Sequence, residues 1–261
     1  MRHCEEFELV MADGEVVRGD CHFTPGQGET PVVVFAHGLG SDRTGQKIGA
    51  FEAECAQRGW ALVAADFRGH GRSDGKMVDL SGPRLLEDLA AIVGEARQRA
   101  GGPLLLVGSS MGGWTAAWLT IAHPELARLV DACALIAPAL RFFDWLTLDE
   151  TARAAWVETG RHRLRTEYLD MELGSQLLTD ASDYSYDELR RRFALPAVIF
   201  HGMQDETIPY QLSLDFIERA EERRLELYLS REGDHRLIAQ RRVMARESCN
   251  LLDWVTKPPA D

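Results

Sequence analysis

Pro103-Leu-Leu-Leu-Val107-Gly108-Ser109-Ser110-Met111-Gly112-Gly113-Trp114-Thr-Ala-Ala-Trp118 decides the fold. An apolar run of strand character meets a G-x-S-x-G turn, and a helix-forming segment follows at once. Gly108, Ser110 and Gly112 recur by chance often enough that the spacing alone says little. The strand–turn–helix setting is what gives it meaning. In so tight a turn, side chains at 108 and 112 would strike neighbouring backbone, and Ser110 is forced to the tip with its hydroxyl outward. The first turn of the helix then offers unpaired N–H groups and a positive dipole end where an oxyanion could form.

The same grammar extends in both directions. Residues 7–11 and 16–23 flank Asp13-Gly14, a hairpin signal. Residues 31–36 and 61–67 are apolar runs expected of strands buried on both faces, and 47–58 and 85–99 have helical spacing. A helix over 112–122 is stopped by Pro124, and 131–137 reads as the next strand. Strands at 197–201 and 225–230 then alternate with helices at 212–223 and 241–255. Alternation of this kind predicts βαβ units and a mostly parallel sheet with helices on both faces. It breaks between 139 and 194, which reads as two or three amphipathic helices without a strand between them. The expected organisation is a core in two parts, 1–138 and 195–261, interrupted by a small helical cap at 139–194.

A serine hydroxyl is a poor nucleophile until a base takes its proton. Of the eight histidines, His3 and His22 fall in the hairpin, His162 in the insertion and His123 before Pro124. His37 and His201 end strands before glycine, and His70 lies in Arg68-Gly-His-Gly-Arg-Ser-Asp-Gly75. His235, in Arg231-Glu-Gly-Asp-His-Arg-Leu237, follows the last strand, where an α/β sheet presents ligand-facing loops. It is the expected base. Asp205, after the strand 197–201, is the expected carboxylate that fixes the His235 tautomer and stabilises the imidazolium. Asp144 and Asp234 are rivals, Asp234 the poorer because sequence neighbours rarely point at each other. The oxyanion donors are expected to be the N–H of Met111 and of Leu39, in the glycine-flanked loop His37-Gly-Leu-Gly40.

The order Ser…Asp…His, with HGLGSD, DFRGHGRSDG, GSSMGG, HGMQDETIP and GDHRL in sequence, resembles the α/β-hydrolase superfamily over nearly the whole chain. More narrowly, GLGSDRTGQK, VGSSMGGW and EGDHRL are similar to bacterial esterases related to the acyl-protein thioesterase and acyl-glucuronide esterase group. The resemblance implies a Ser110–Asp205–His235 triad. It implies a carboxylic-ester hydrolase working through an acyl-enzyme, with no metal or organic cofactor. A thioesterase or acyl-glucuronide esterase using the same residues is the alternative, and a catalytically silent ligand-binding relative is a third. Branches that use an aspartate nucleophile are excluded by Ser110.

In the insertion, Phe142, Phe143, Trp145 and Trp156 are candidates for the wall of an acyl or aryl pocket, against a role in gluing the cap to the core. The basic run Gly160-Arg-His-Arg-Leu-Arg165 is read as a solvated helix face balanced by Glu158, Glu167 and Asp170, rather than as an anion site. The whole chain, 261 residues with 45% hydrophobic content, is long enough for one large core. Its net charge of −12 argues against nucleic-acid and anionic-lipid partners. The basic residues are almost all arginine, with lysine only at Lys47, Lys76 and Lys257. The N-terminal residues lack a signal-peptide core. Five cysteines show no CxxC pair, which suits reduced thiols in a cytoplasmic protein. The expected partner is a small-molecule ester, and the expected state a monomer or homodimer.

Overall fold

The computed structural model describes residues 3–23, 29–143, 149–165 and 169–257. An N-terminal hairpin, β1 (His3–Val10) and β2 (Val16–Phe23), precedes β3 (Val32–Ala36), α1 (Gln46–Arg58) and β4 (Ala61–Ala65). Then come α2 (Gly82–Arg99), β5 (Leu104–Ser109), α3 (Met111–Ala122), α4 (Pro124–Ala127) and β6 (Ala132–Ile136). The next segment holds α5 (Glu150–Thr159), β7 (Arg161–Arg165), β8 (Asp170–Gly174), α6 (Gln176–Asp180) and α7 (Tyr186–Arg192). The chain closes with β9 (Ala197–Gly202), α8 (Gln211–Arg219), β10 (Leu225–Ser230) and α9 (Arg241–Thr256).

Eight strands form one sheet in the order β1-β2-β4-β3-β5-β6-β9-β10. From β4 to β10 neighbours are parallel, and only the pairs β1–β2 and β2–β4 are antiparallel. The five strands β3, β4, β5, β6 and β9 are buried at every position, because helices cover both faces. Alternation divides their side chains. Val32, Val34, Leu104 and Leu106 join one cluster with α2 and α3, whereas Val33, Phe35, Leu105 and Val107 join another with α1 and α9. The chain reverses its direction of winding between β3 and β5. Such a reversal opens a crevice at the carboxyl ends of those two strands.

Boundaries shift where a cap decides them. α2 starts before the expected 85 because Ser81 accepts from the Arg84 N–H at 3.3 Å and Pro83 fits the first turn. Pro124 both ends α3 and opens α4.

The expectation of helices alone between 139 and 194 is corrected: β7 and β8 form an antiparallel hairpin. Its reason is period two. Arg161-His-Arg-Leu-Arg and Asp170-Met-Glu-Leu-Gly bury Leu164 and Leu173 and set charges opposite each other, Arg163 against Glu172 and Arg165 against Asp170. The basic run is therefore a strand, not a helix face. Arg163 and Arg165 pair with Asp170, and Arg161 with Glu172. All five cysteines are free, with Cys4 exposed and the others buried.

Candidate active site

Four loops at the carboxyl ends of β3, β5, β9 and β10 meet in one place. The β5–α3 turn confirms the steric reading of its glycines. A Cβ on Gly108 would lie 2.3 Å from the Gly112 carbonyl, and one on Gly112 would lie 2.2 Å from the Ala36 carbonyl. Ser110 sits at φ 55°, ψ −114°, a conformation an L-residue adopts only under constraint. The constraint comes from β6: Ser110 N–H donates to Ile136 O at 2.9 Å, and Ala139 N–H donates back to Ser110 O at 3.1 Å.

His235 Nε2 is 3.0 Å from Ser110 Oγ, and its Nδ1 is 2.7 Å from Asp205 Oδ2. The three residues expected from the sequence thus form one continuous hydrogen-bonded relay. Gly202 makes this possible: a Cβ there would lie 2.2 Å from Gly233 O, so the loops bearing Asp205 and His235 pack backbone to backbone. They are stitched by Met203 N–H to Ser230 O and Gln204 N–H to Gly233 O. Asp234, a rival carboxylate, turns away from His235 and accepts the Leu237 N–H at 2.8 Å, shaping the loop. Asp144 and Trp145 lie outside the described residues.

The Asp205 side chain is fully buried and accepts four hydrogen bonds. His235 and His201 Nε2 (3.1 Å) reach Oδ2, and the N–H groups of Thr207 and Ile208 reach Oδ1. Burial by itself would raise its pKa. The donors from His201 and His235 outweigh that and hold the carboxyl well below the usual range. His201 was not singled out by the sequence. Its Nε2 faces two acceptors, Asp205 and Ile208 O, so it carries a proton; in the neutral ring Nδ1 accepts from the Ser213 hydroxyl at 2.8 Å. The signal that could have found it was a histidine four residues before an expected site carboxylate.

The loop after β3 lies over Ser110. A Cβ on Gly38 would be 3.3 Å from Ser110 Cβ and 4.0 Å from its Oγ. Among the described residues, neither the Leu39 nor the Met111 N–H donates to a backbone carbonyl. Asp66 clamps this loop to the one after β4. It accepts the Arg43 N–H at 2.7 Å, pairs with the Arg43 guanidinium, and accepts the Arg72 N–H at 2.8 Å.

The aromatic candidates pack on each other. Phe142 and Phe143 lie 5.8 and 5.0 Å from Trp114, ring centre to ring centre, and Tyr184 closes the cluster. Trp156 is buried against His162 at 4.9 Å. What stands beside the loop after β3 instead is the β7–β8 hairpin: a Cβ on Gly40 would lie 2.4 Å from Leu169 and 2.8 Å from Met171. Leu39, Leu169 and Met171 are only partly buried.

An α/β sheet with a serine elbow and this relay defines an α/β-hydrolase. The chain belongs to the serine aminopeptidase S33 family, whose profile matches residues 28–159. It is similar to palmitoyl-protein thioesterase ABHD10, mitochondrial, of Mus musculus, with 28% identity over 216 residues, 81% of this chain and 71% of that protein. The solved structure of alpha/beta hydrolase domain-containing protein 10 from mouse has a TM-score of 0.81 at 25% identity, covering 97% of this chain and 100% of that one. The crystal structure of an Agrobacterium vitis S4 protein assigned as a hydrolase has a TM-score of 0.85 at 27% identity, covering 97% and 99%. Among the described residues, no helix is long and apolar enough to cross a membrane.

Proposed function

We propose that this hydrolase cleaves carboxylic esters of small to medium acyl or aryl groups through an acyl-enzyme. The observation that carries the reading is the unbroken relay from Ser110 Oγ through His235 to Asp205, at 3.0 and 2.7 Å. Ser110 attacks the carbonyl carbon as His235 Nε2 takes its proton. The Leu39 and Met111 N–H groups hold the tetrahedral oxyanion. His235 then returns the proton to the leaving alcohol, and a water activated the same way releases the acid. Leu39, Leu169 and Met171 supply the apolar wall beside the carbonyl; Phe142, Phe143 and Trp156 support it from the cap. The setting we favour is the cytoplasm, which fractionation of cells carrying a tagged chain would test.

Thioester cleavage by the same residues is the second reading, favoured by the likeness to a protein named palmitoyl-protein thioesterase. The deciding experiment is hydrolysis of p-nitrophenyl esters from acetate to palmitate beside matched thioesters, with Ser110→Ala as control. Wild type should turn over the shorter esters, and the variant should lose on the order of a millionfold in kcat. Thioester turnover alone would hand the reaction to the second reading. Failure on every substrate, with no labelling by a fluorophosphonate, would leave a silent binding protein.

A further inference from the structure

Lys47 is a rare lysine in a chain that otherwise uses arginine, and it stands in the first turn of α1. A cation is out of place there, because the start of a helix is the positive end of its dipole. The first turn of α1 holds no acidic residue to offset it. The side chain is partly buried, and its Nζ donates to the main-chain carbonyl of Arg236 at 3.2 Å. Burial brings the Lys47 pKa down to about 8. The Arg236 guanidinium acts the same way, and the Asp234 and Asp205 carboxylates facing it oppose them.

The carbonyl that Lys47 holds lies one peptide beyond His235. In a trans peptide the C=O and N–H point in opposite directions. The other side of this one is held as well, because the Leu237 N–H donates to Asp234 Oδ1 at 2.8 Å. Leu237 itself sits at φ 50°, ψ 34°, a left-handed conformation uncommon for a residue with a side chain. Its side chain is buried in the cluster that includes Ile48 and Phe51 of α1. It also folds back over Gly233, where a Cβ would lie 2.7 Å from Leu237 Cδ2. A segment bent this tightly relaxes when a restraint is removed, and His235 is two residues away. Asp234 and Leu237 restrain the loop from within, and Lys47 adds a charge-assisted hold from another element. We propose that Lys47 is a positioning residue for the general base: its ammonium grips the Arg236 carbonyl and keeps the 234–237 loop in the shape that presents His235 to Ser110. The inference rests on the acyl-transfer reading of this site. It gives a lysine outside the Ser110–His235–Asp205 relay a role in the rate of proton transfer.

Two substitutions separate this role from simple packing. Lys47→Met fills similar space without charge or donor, and Lys47→Arg keeps both. On an ester or thioester that wild type cleaves, kcat and KM are measured from about pH 6 to 10 for wild type and both variants. Lys47→Met is expected to lose about 10-fold in kcat near neutrality with KM little changed, because a misplaced base slows proton transfer without altering how substrate is held. Wild type should lose kcat above about pH 8, where the ammonium gives up its proton and the bond to Arg236 O is no longer charge-assisted. Lys47→Met should lack that alkaline limb. Lys47→Arg stays charged, so it should hold its kcat through the same range and remain within about fivefold of wild type near neutrality. A packing role would leave the limb in place in both variants, and that result would overturn the proposal, as would a change in KM alone. Should Lys47→Met fail to fold, the alkaline limb of wild type against that of Lys47→Arg decides. Hydrogen exchange at the Leu237 amide reads the loop without any turnover. It should quicken about 10-fold in Lys47→Met and stay near the wild-type rate in Lys47→Arg. An unchanged rate in Lys47→Met would overturn the proposal whether or not any ester is cleaved. Wild-type inactivity on all esters and thioesters would instead count against the acyl-transfer reading itself.

Discussion

Ser110 has a backbone conformation costly for an L-residue, and it is held there by the end of β6 rather than by its own preferences. Glycine accepts that backbone region freely, so Ser110→Gly should be more stable than Ser110→Ala by about 1–2 kcal/mol while both lack activity. Urea unfolding of the two variants checks this, and equal midpoints would mean that the turn stores no strain. Asp205 is the second residue whose state matters. Its folded pKa is depressed, so its contribution to stability is present above the ordinary aspartate value of 3.8 and is lost as pH falls below that value. The stability advantage of wild type over Asp205→Asn should therefore be largest near neutrality and shrink steadily in acid. In activity, the same variant should lose about a thousandfold or more in kcat, because an amide no longer enforces the Nδ1–H tautomer of His235. An advantage that grew on acidification would contradict the assigned electrostatics.

Among the described elements between 139 and 194, the β7–β8 hairpin stands beside the loop after β3. Gly40, at φ 66°, lets Leu169 and Met171 approach the loop after β3 as closely as they do. Shortening Met171 should enlarge the space beside the scissile carbonyl. Met171→Ala is expected to move the optimum of the ester series toward longer or bulkier acyl groups, with a several-fold rise in their relative kcat/KM, about the value of one or two methylenes in a pocket. An unchanged profile would place the acyl group elsewhere. The charged strand β7 should be indifferent to this series, since its arginines already face Asp170 and Glu172 across the hairpin.

Across the whole molecule, arginine takes the part that lysine plays elsewhere: its planar fork joins segments distant in sequence. Arg68, 2% exposed, reaches Asp88 in α2, Glu87 and Asp13 in the N-terminal hairpin turn. Removing Asp88 leaves that guanidinium without its buried partner, so Asp88→Ala should cost about 3–5 kcal/mol. Glu6→Ala, which breaks the exposed pair with Arg72, should cost well under about 1 kcal/mol. Thermal or urea melts of the two variants compare them directly, and similar losses would contradict the view that burial sets the value of these pairs.

The sequence by itself determined the sheet, the elbow and the order of the three site residues. Apolar runs such as 104–108 are long enough to demand cover on both faces. The glycines at 108 and 112 leave the turn few conformations, and Asp205 and His235 follow strands whose ends must lie together in a parallel sheet. These are local or periodic constraints, and they are written in consecutive residues. Tertiary structure alone decided the rest. The β7–β8 hairpin was hidden because a five-residue strand rich in arginine mimics an amphipathic helix over so short a window, and only pairing with Asp170–Gly174 resolves it. The partners of His37 and His201 were hidden for a different reason. A histidine at a strand end reads the same whether it faces solvent, a carboxylate or a carbonyl. Which partners it meets depends on Phe67, Ser213 and Ile208, which the fold brings within hydrogen-bond reach of it.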